Sequence, residues 1–562
     1  MKKLLSILLC FAMCFGIAAC GAGNNSQTPE STGGSTGGES SSVPFENADK
    51  TKITIYVDES NVYGSYVAGS DEAFVKKTIE KKFYEDTGYA VDFNIQICTH
   101  ATFNTQFSGV MTTGRWDAAV SYLGQAGLDE TALNQDIALD LSDLLDSDGE
   151  HIYDAIDEEA MYATTLLDGT IVGIPSVCNT KTKGILLRTD LMEKVGYTVE
   201  AGHNDDLGET TAKAGDKRKT LVTLSDFTDM LERLKVQGVC ANPLSGNSYD
   251  IEYTITAGAL NCLGYQCKDV IYNADGTVKE VVPGWLSENY GDVLETLYYW
   301  QSRGLWEANN TVKTTEQRIT DLTNGKSCVY CVDPNVISLI DVARRVSSAK
   351  PEAKFAVIGP LDGVDENGNR IEGSGAFAET SRTTDCLIIN KKSQNAKIVV
   401  AYLNWMYSSV ENYELCAYGI KGTHWVESGD KFYAYPEGKA DRYLTKPPYS
   451  GVFMLLHNDE FSYRLYDDYT AEEKGWINVV ENAKTMKNET DGMLFYNMSA
   501  AMANAFQTAE NDFYPNVALK AWDGSVDPAT SYPAGVTAYR NTASEYIDWL
   551  TTQYKLYMAK RV

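Results

Sequence analysis

Basic charge is scarce in this sequence of 562 residues. It has 48 lysine and arginine residues against 77 aspartate and glutamate residues, which gives a formal net charge of −29 at pH 7. Proteins that bind phosphate backbones or anionic lipids present a basic surface, so neither nucleic acid nor an anionic lipid surface is an expected partner. Solubility explains most of the acidic excess, and we infer no binding function from it.

Motifs for metal, nucleotide or nucleophilic chemistry are also lacking. There are five histidines, no two of them four residues apart and none in a His-Glu-x-x-His motif. Gly325-Lys326-Ser327 resembles the end of a P-loop, but Thr320 stands where that loop needs its first glycine. Residues 363–374 lack the acidic first and last positions of a calcium loop. The sequence therefore predicts no metal, no cofactor and no enzymatic activity.

The cysteines do not form a disulfide framework or a zinc site. Twelve are present, three of them within the first twenty residues, and the odd number that remains cannot pair completely. Cys328 and Cys331 have the spacing of half a zinc site, but no second pair completes it, and their apolar surroundings indicate a strand. We expect buried structural cysteines, with Cys262 and Cys267 the best candidates for a disulfide if any forms.

The first twenty residues have the pattern of a bacterial secretory signal. Lys2 and Lys3 precede an apolar stretch, residues 4–17, that is too short to span a membrane comfortably. It ends in IAACG at 17–21, which resembles the lipobox of bacterial lipoproteins. The resemblance implies a signal peptide of residues 1–19 and a diacylglyceryl group on Cys20. The alternative is an ordinary cleavage site beside a cysteine.

Residues 20–50 are predicted to be the lipidated cysteine and a flexible tether. The segment GAGNNSQTPESTGGSTGGESSS has almost no apolar side chain to bury, so folding cannot offset the entropy of ordering it. Two or more acyl chains, at about 0.8 kcal/mol per buried methylene, hold a protein lastingly at a membrane. The chain is therefore expected at the outer face of the cell membrane, anchored by lipid alone.

From residue 51 onward the chain is longer than a single hydrophobic core supports, so two lobes are expected. Its first part predicts strands at 52–57, 89–98 and 116–123, with helices at 71–86 and 102–111 between them. Ser70 is expected to cap the first helix and Gly88 to end it. This βαβαβ order predicts a parallel sheet flanked by helices.

A second α/β lobe is predicted further along the chain. Its elements are helices at 224–236 and 285–303 and strands at 327–332 and 355–358. A strand at 385–390 and a helix at 393–407 form a further unit, and residues 443–562 are mostly helical by pattern. The polar stretches 201–219 and 363–375 are predicted surface insertions.

Several short segments, in their order and spacing, resemble family 1 extracellular solute-binding proteins, the group related to maltose-binding protein. They are DG at 168–169, GIP at 173–175, GILLRTDL at 184–191, TLSDF at 223–227, NGK at 324–326, NKKS at 390–393 and YGIKGTHW at 418–425. The resemblance covers most of the chain after the tether.

The resemblance implies an α/β, two-lobed fold of the periplasmic-binding-protein-like type II, with a helical C-terminal region. Crossover strands near 174–187 and 384–389 would make each lobe discontinuous. The lobes are expected to comprise residues 51–178 with 386–450, and residues 179–385 with 451–562. The ligand is expected between them, in a cleft that closes about a hinge.

Aromatic candidates for ligand contact follow from two rules. In open α/β sheets, ligands lie beyond the carboxyl ends of strands, and sugars need aromatic rings beside fork-like hydrogen-bonding groups. Tyr63 and Tyr122 follow predicted strands, although core or surface packing explains either residue as well. Trp425, within one of the resembling segments, is the leading stacking candidate.

Polar candidates stand at strand ends and crossovers. Asp333 and Asn335 follow a strand of the second lobe, and the alternative for Asp333 is a turn that caps the helix at 336–346. Arg382 precedes the second crossover and would donate two hydrogen bonds, or else form an ordinary surface pair. Asn179 follows the first crossover.

The resemblance implies that a monomeric protein captures a small solute, in particular an oligosaccharide, for the permease subunits of an ABC importer. Two other classes stay open. One is an extracellular glycan-active enzyme or adhesin, and the other is a binding protein for a peptide or another non-sugar solute.

Overall fold

A computed structural model describes residues 43–59, 67–111, 115–123, 133, 135–199, 218–307, 309–365, 368–379, 381–495 and 498–560. The predicted signal, Cys20, most of the predicted tether and Tyr63 lie outside the described residues, as does most of the predicted insertion at 201–219. Within the described ranges, no helix is both long enough and apolar enough to cross a membrane.

Sheet 1 has five strands. Counted across the sheet, its first three strands are parallel to one another, which confirms the predicted βαβαβ order. The fourth strand is antiparallel to the third, and the fifth is antiparallel to the fourth. Across the sheet the order is Val91–Cys98, Thr51–Asp58, Ala118–Tyr122, Asp385–Ile389 and Ile174–Pro175.

Helices cover both faces of sheet 1 because successive side chains of a strand point to opposite sides. Leu387 and Ile389 belong to the core on one face, and Cys386 and Ile388 to the core on the other. We call sheet 1 and its helices lobe 1. These helices are Glu72–Thr87, Phe103–Met111, Ser142–Asp148, Glu150–Ala155, Glu158–Met161, Ala396–Tyr407, Val410–Tyr418 and Ala440–Thr445.

The helix Glu72–Thr87 ends as predicted but begins differently. Gly88 has a φ of 81°, a left-handed conformation that favours glycine, and its N–H donates to the carbonyl oxygen of Tyr84. The predicted cap, Ser70, is wrong, because Asp71 occupies the N-cap position. The Ser70 N–H donates to the carbonyl oxygen of Pro447, which holds this residue in the turn before the helix.

Sheet 2 has four strands, in the order Phe355–Ile358, Ile185–Arg188, Val329–Cys331 and Leu244–Gly246. Its second strand is antiparallel to both neighbours, and its last two strands are parallel. Leu186 packs on one face, and Ile185 and Leu187 pack on the other, so helices cover both faces here too. These helices are Thr189–Met192, Leu224–Val236, Ser248–Ile251, Ala257–Ala259, Tyr290–Ser302, Thr315–Thr323, Val336–Ala349 and Ala471–Glu481.

The C-terminal region is helical, as predicted, and joins the core of sheet 2 to form lobe 2. Its helices are Ala500–Phe513, Leu519–Trp522, Pro528–Thr542 and Ser544–Lys560. Two strands, Lys268–Tyr272 and Val278–Pro283, form a hairpin against the last helix. The remaining short strands are Tyr197–Thr198, Lys219–Thr220, Phe377–Ala378, Val426–Glu427, Phe432–Ala434, Leu465–Tyr466 and Thr485–Met486.

The chain crosses between the lobes three times. The first crossing runs from residue 175 in sheet 1 to residue 185 in sheet 2, and the second from residue 358 to residue 385. The third crossing begins after Leu456, which packs in the core of lobe 1, and ends at Ala471–Glu481, which packs in lobe 2. The bounds given above for the two lobes in sequence stay a prediction.

The nine cysteines after residue 20 are all free thiols. Cys262 and Cys267 are not joined, although they were the favoured pair. Cys328 and Cys331 are both fully buried, which confirms the prediction that these cysteines are buried.

Candidate ligand-binding site

A cavity of about 670 Å³ lies between the two lobes. Leu123, Glu159 and Ala163 line it from lobe 1, and Thr180 and Arg382 line it from the first two crossings. The wall on the side of lobe 2 is the more extensive one. It contains the aromatic residues Tyr249, Tyr253, Phe495, Tyr546 and Trp549. Clefts of this size between lobes are where small solutes usually bind.

Tyr249 and Tyr253 form one aromatic surface of the cavity. The strand Leu244–Gly246 ends just before them, and Asn247 caps the helix that follows. Because the two tyrosines are four residues apart on helical turns, their rings lie together, with centroids 5.5 Å apart and planes inclined by 13°. The Tyr253 hydroxyl donates to the carbonyl oxygen of Glu379 at 2.6 Å, which fixes the ring in place.

Trp549 and Phe495 form a second aromatic surface, with ring centroids 6.0 Å apart. Trp549 stacks on Tyr546 at 5.9 Å, and Tyr546 is buried against Phe506 at 4.4 Å. Trp549 itself is half-buried, so part of its ring stays accessible from the cavity. Accessible ring faces supported from behind suit the apolar C–H faces of sugars.

Arg382 connects lobe 1 to the second and third crossings. Its Nη1 donates to Oδ1 of Asp157 at 2.9 Å, and its Nη2 donates to Oε2 of Glu460 at 2.7 Å. Burial opposes the charge of the guanidinium, but these two carboxylates outweigh burial and raise the pKa of Arg382 above its ordinary value. Arg382 therefore lines the cavity as the centre of an ion-paired cluster.

Two contacts cross the cleft directly. Lys487, which belongs to the wall on the side of lobe 2, forms a short ion pair with Glu159 on a lobe 1 helix. The ring centroid of Tyr162, close to Glu159, lies 4.9 Å from that of Tyr557 on the last helix. The lobes thus touch along one side of the cavity.

Burial affects two further lysines that lie against aromatic rings of the wall, and only Lys268 of the two lines the cavity. The Nζ of Lys268 lies 5.0 Å from the ring centroid of Phe495, and burial lowers the pKa of this lysine. Behind Tyr253, the Nζ of Lys183 lies 3.2 Å from that ring centroid and donates to the carbonyl oxygen of Ala378. Burial lowers the pKa of Lys183 to about 7.

Among the predicted contact residues, Arg382 lines the cavity, whereas Tyr122 and Asn179 lie next to residues that do. Tyr122 is half-buried, with its ring centroid 5.6 Å from that of His100, and the next residue, Leu123, lines the cavity. The backbone N–H of Asn179 donates to Oδ2 of Asp459 at 2.9 Å.

Asp333 and Asn335 precede a helix and are not among the residues that line the cavity, although the Asp333 N–H donates to Oδ2 of Asp250, next to the lining residue Tyr249. Oδ1 of Asn335 accepts the N–H of Ile337 at 2.9 Å, which makes Asn335 the N-cap of Val336–Ala349. Oδ2 of Asp333 accepts the Ser338 hydroxyl at 2.5 Å. This geometry favours the turn-and-cap alternative over a sugar contact, with Asn335 as the capping residue.

Trp425 offers no ring face to a ligand in this conformation, because its side chain is only 1% exposed. Its indole N–H donates to the carbonyl oxygen of Gly419 at 2.9 Å, and Arg464 and Lys421 both lie 5.4 Å from its ring centroid. The ring of Trp425 therefore packs inside the segment 418–425 and its surroundings.

Sequence reasoning missed the aromatic residues of the cavity. Tyr249 does follow a strand, but Leu244–Gly246 has three residues and no apolar alternation that would predict it. Trp549 stands in the C-terminal region that is predicted to be helical, and its spacing with Leu550 and Tyr554 is that of one apolar helix face. Only the folded chain shows that this face borders the cleft.

The arrangement can bind a polar solute that also has apolar faces, through ring contacts and hydrogen bonds. The described residues include no group of three or more histidine, cysteine, aspartate or glutamate side chains that could hold a metal ion.

No family model matches the sequence, and no curated protein matches it. Solved structures do match. An extracellular solute-binding protein from Bifidobacterium longum subsp. infantis is 15% identical, covers 90% of this chain and 98% of its own, and has a TM-score of 0.63. An HMO-binding, ABC-transporter-associated solute-binding protein from Bifidobacterium longum infantis ATCC 15697 is 14% identical, with 91% and 99% covered and a TM-score of 0.62.

The N-glycan transport solute-binding protein NgtS from Streptococcus pneumoniae is 15% identical, with 91% of this chain and 100% of that chain covered and a TM-score of 0.58. The chain therefore has the fold of ABC-transporter solute-binding proteins. Its α/β, two-lobed architecture of type II, predicted from the sequence, is confirmed.

Proposed function

We propose that this protein is a solute-binding protein that captures an oligosaccharide and delivers it to an ABC importer, with no chemistry of its own. The observation that carries the proposal is the cavity of about 670 Å³ between two lobes, with half-buried aromatic rings beside hydrogen-bonding side chains. Sugars combine apolar ring faces with hydroxyl groups, and this wall complements both.

The solved structures of the same fold support the sugar assignment. One is described as an N-glycan transport protein and another as HMO-binding. By analogy, the lobes of this chain close around the sugar, and the permease subunits recognise the closed form. The protein acts as a monomer held at the extracytoplasmic face of the membrane by lipid on Cys20.

Calorimetry of the soluble chain against a panel of oligosaccharides and peptides tests the proposal. A bound sugar at 100 times its dissociation constant should add about 2.7 kcal/mol to the free energy of unfolding. Binding of peptides alone contradicts the sugar assignment. Chromatography of the recovered sugar should show it intact, whereas cleavage at catalytic rates would establish a glycan-active enzyme instead.

Lipid attachment is tested separately by expressing the full chain in a bacterium fed radiolabelled palmitate. We expect label in the parent and none in Cys20→Ser, which should also leave the membrane fraction. Label retained by Cys20→Ser contradicts the lipobox assignment and leaves the sugar proposal untouched.

A further inference from the structure

We infer that the cavity selects uncharged glycans and rejects acidic ones, because the cations of its lining are ion-paired or packed against an aromatic ring and its carboxylates outnumber them. This inference rests on the proposed function and names the substrate class of the same site. Recognition of a carboxylated sugar needs a cation, and best a guanidinium fork, that is free to pair with the ligand.

The first cation, Arg382, is the natural fork for an acidic sugar but is already engaged. Its Nε and Nη2 donate to the two carboxylate oxygens of Glu460 at 3.2 and 2.7 Å, and its Nη1 donates to Asp157 at 2.9 Å. Both carboxylates come from other segments of the chain, so the pairing persists as long as the crossings stay packed. A ligand carboxylate would have to displace one of them.

The other two cations of the lining differ: Lys487 has an ion-pair partner, whereas Lys268 is partly buried against a ring and feels the negative charge of Asp491. Lys487 is paired with Glu159 across the cleft. Lys268 lies over the ring of Phe495, where burial disfavours its charged form and lowers its pKa. Neither lysine therefore presents a well-solvated ammonium group to the cavity.

Carboxylates outnumber cations in the lining, with Glu159, Glu379, Glu460 and Asp491 against three basic residues. Two of these carboxylates already accept hydroxyl groups: Asp491 accepts the Ser381 hydroxyl at 2.7 Å, and Glu379 accepts the Thr485 hydroxyl at 2.6 Å. Carboxylates are also suitable acceptors for sugar hydroxyls. The carboxylate of an acidic sugar would instead be repelled by them and would lose its hydration without gaining a cation in exchange.

One lysine, Lys181, directly follows a lining residue in sequence, but it is exposed and is not among the residues that line the cavity. Residues 124–132, Thr380 and residues 496–497, which adjoin lining residues but lie outside the described part of the chain, contain no lysine or arginine. The charge balance of the described lining therefore rests on its three basic residues and its four carboxylates.

Calorimetry with neutral hexose oligosaccharides and with uronate oligomers of the same length and linkage tests the inference. We expect a neutral member of the panel to bind at least tenfold more tightly than its uronate counterpart. Equal or tighter binding of a uronate overturns the inference but keeps the proposed function. Failure of every neutral and acidic glycan contradicts the proposed function itself.

A charge-release variant gives a second readout. Glu159→Gln removes the partner of Lys487, so the ratio of uronate to neutral-glycan affinity should rise at least tenfold. The matched control is Glu158→Gln, the adjacent carboxylate, which accepts the Tyr162 hydroxyl at 2.5 Å and does not line the cavity. If Glu159→Gln has the same unfolding temperature as the parent and its ratio of uronate to neutral-glycan affinity is unchanged, the inference is contradicted.

Discussion

The Sγ atom of Cys178 lies 3.0 Å from Nε2 of His457. The same sulfur lies 3.1 Å from the hydroxyl oxygen of Thr384. Cys178 belongs to the first crossing between the lobes, Thr384 to the second and His457 to the third. One thiol of the first crossing therefore contacts both other crossings, and the lobes would have to rotate about these three segments.

Replacing this thiol should weaken the junction of the crossings. Cys178→Ala removes the contacts with His457 and Thr384, and we expect a loss of about 1–2 kcal/mol in the free energy of unfolding, measured by urea denaturation. Cys178→Ser keeps a polar atom and should lose less. Equal stability of the alanine variant and the parent would show that the sulfur contacts are incidental.

Glu252 should make stability depend on pH. Its side chain is 1% exposed and accepts the Tyr265 N–H and the Tyr290 hydroxyl, each at 3.0 Å. Burial outweighs these hydrogen bonds and raises the pKa of Glu252 to about 8. A carboxyl group with a raised pKa in the folded state contributes stability below its unfolded pKa of about 4.3 and loses it as pH rises through the folded value.

The measurement is the free energy of unfolding of the parent and of Glu252→Gln from pH 4 to pH 9. Because glutamine resembles the protonated acid, the parent should lose at least about 2 kcal/mol relative to the variant as pH rises through this range. A difference between the two proteins that stays constant with pH would mean that the pKa of Glu252 is the same in the folded and unfolded states.

The parts of the fold that the sequence predicts are those with strong local patterns. The strand at 89–98 alternates strictly, and the helix at 71–86 has an apolar face and a terminal glycine, so the ends of both elements lie within two residues of the predicted ones. Ser70 shows the limit of such reasoning. A serine before a helix is a frequent cap, but the N–H groups of Ser70 and Asp71 both donate to carbonyl oxygens of the distant segment 447–448, which no local pattern reveals.

The site is less predictable because its geometry depends on contacts between distant segments. Arg382 was identified as a candidate, yet its partner Asp157 is 225 positions away in sequence, and no local pattern reveals that pairing. Trp425 shows the opposite case. An aromatic residue in a glycine-rich loop suggests a binding surface, but packing within the loop buries its ring.

A buried ion cluster at the end of the strand Leu244–Gly246 should contribute strongly to the local stability of lobe 2. Glu307, 2% exposed, accepts Nε of Arg318 at 2.5 Å, Nζ of Lys313 at 2.6 Å and the N–H of Gly246 at 3.0 Å. Glu307→Ala leaves the buried Arg318 without its carboxylate, and we expect a loss of about 3–5 kcal/mol by urea denaturation.

The control for this cluster is an ion pair of the same chemical type at the surface. Glu316 pairs with Arg345, where the two side chains are 72% and 40% exposed, so Glu316→Ala should cost less than about 1 kcal/mol. Similar losses in Glu307→Ala and Glu316→Ala would contradict the assignment of a structural role to the buried cluster.

Trp549 provides the most direct test of the aromatic wall. Its half-buried ring lines the cavity, and Tyr546 and Phe495 support it, so removal of the ring should cost contact area with the sugar without opening the core. We expect Trp549→Ala to weaken binding of the preferred oligosaccharide by about 1–3 kcal/mol, roughly tenfold to a hundredfold, by calorimetry. Trp476 is a matched control, because it is also half-buried but packs against the core that contains Leu186, on the face of sheet 2 opposite the core that Trp549 contacts. Unchanged affinity in Trp549→Ala, or an equal loss in Trp476→Ala, would show that the sugar does not lie on this surface.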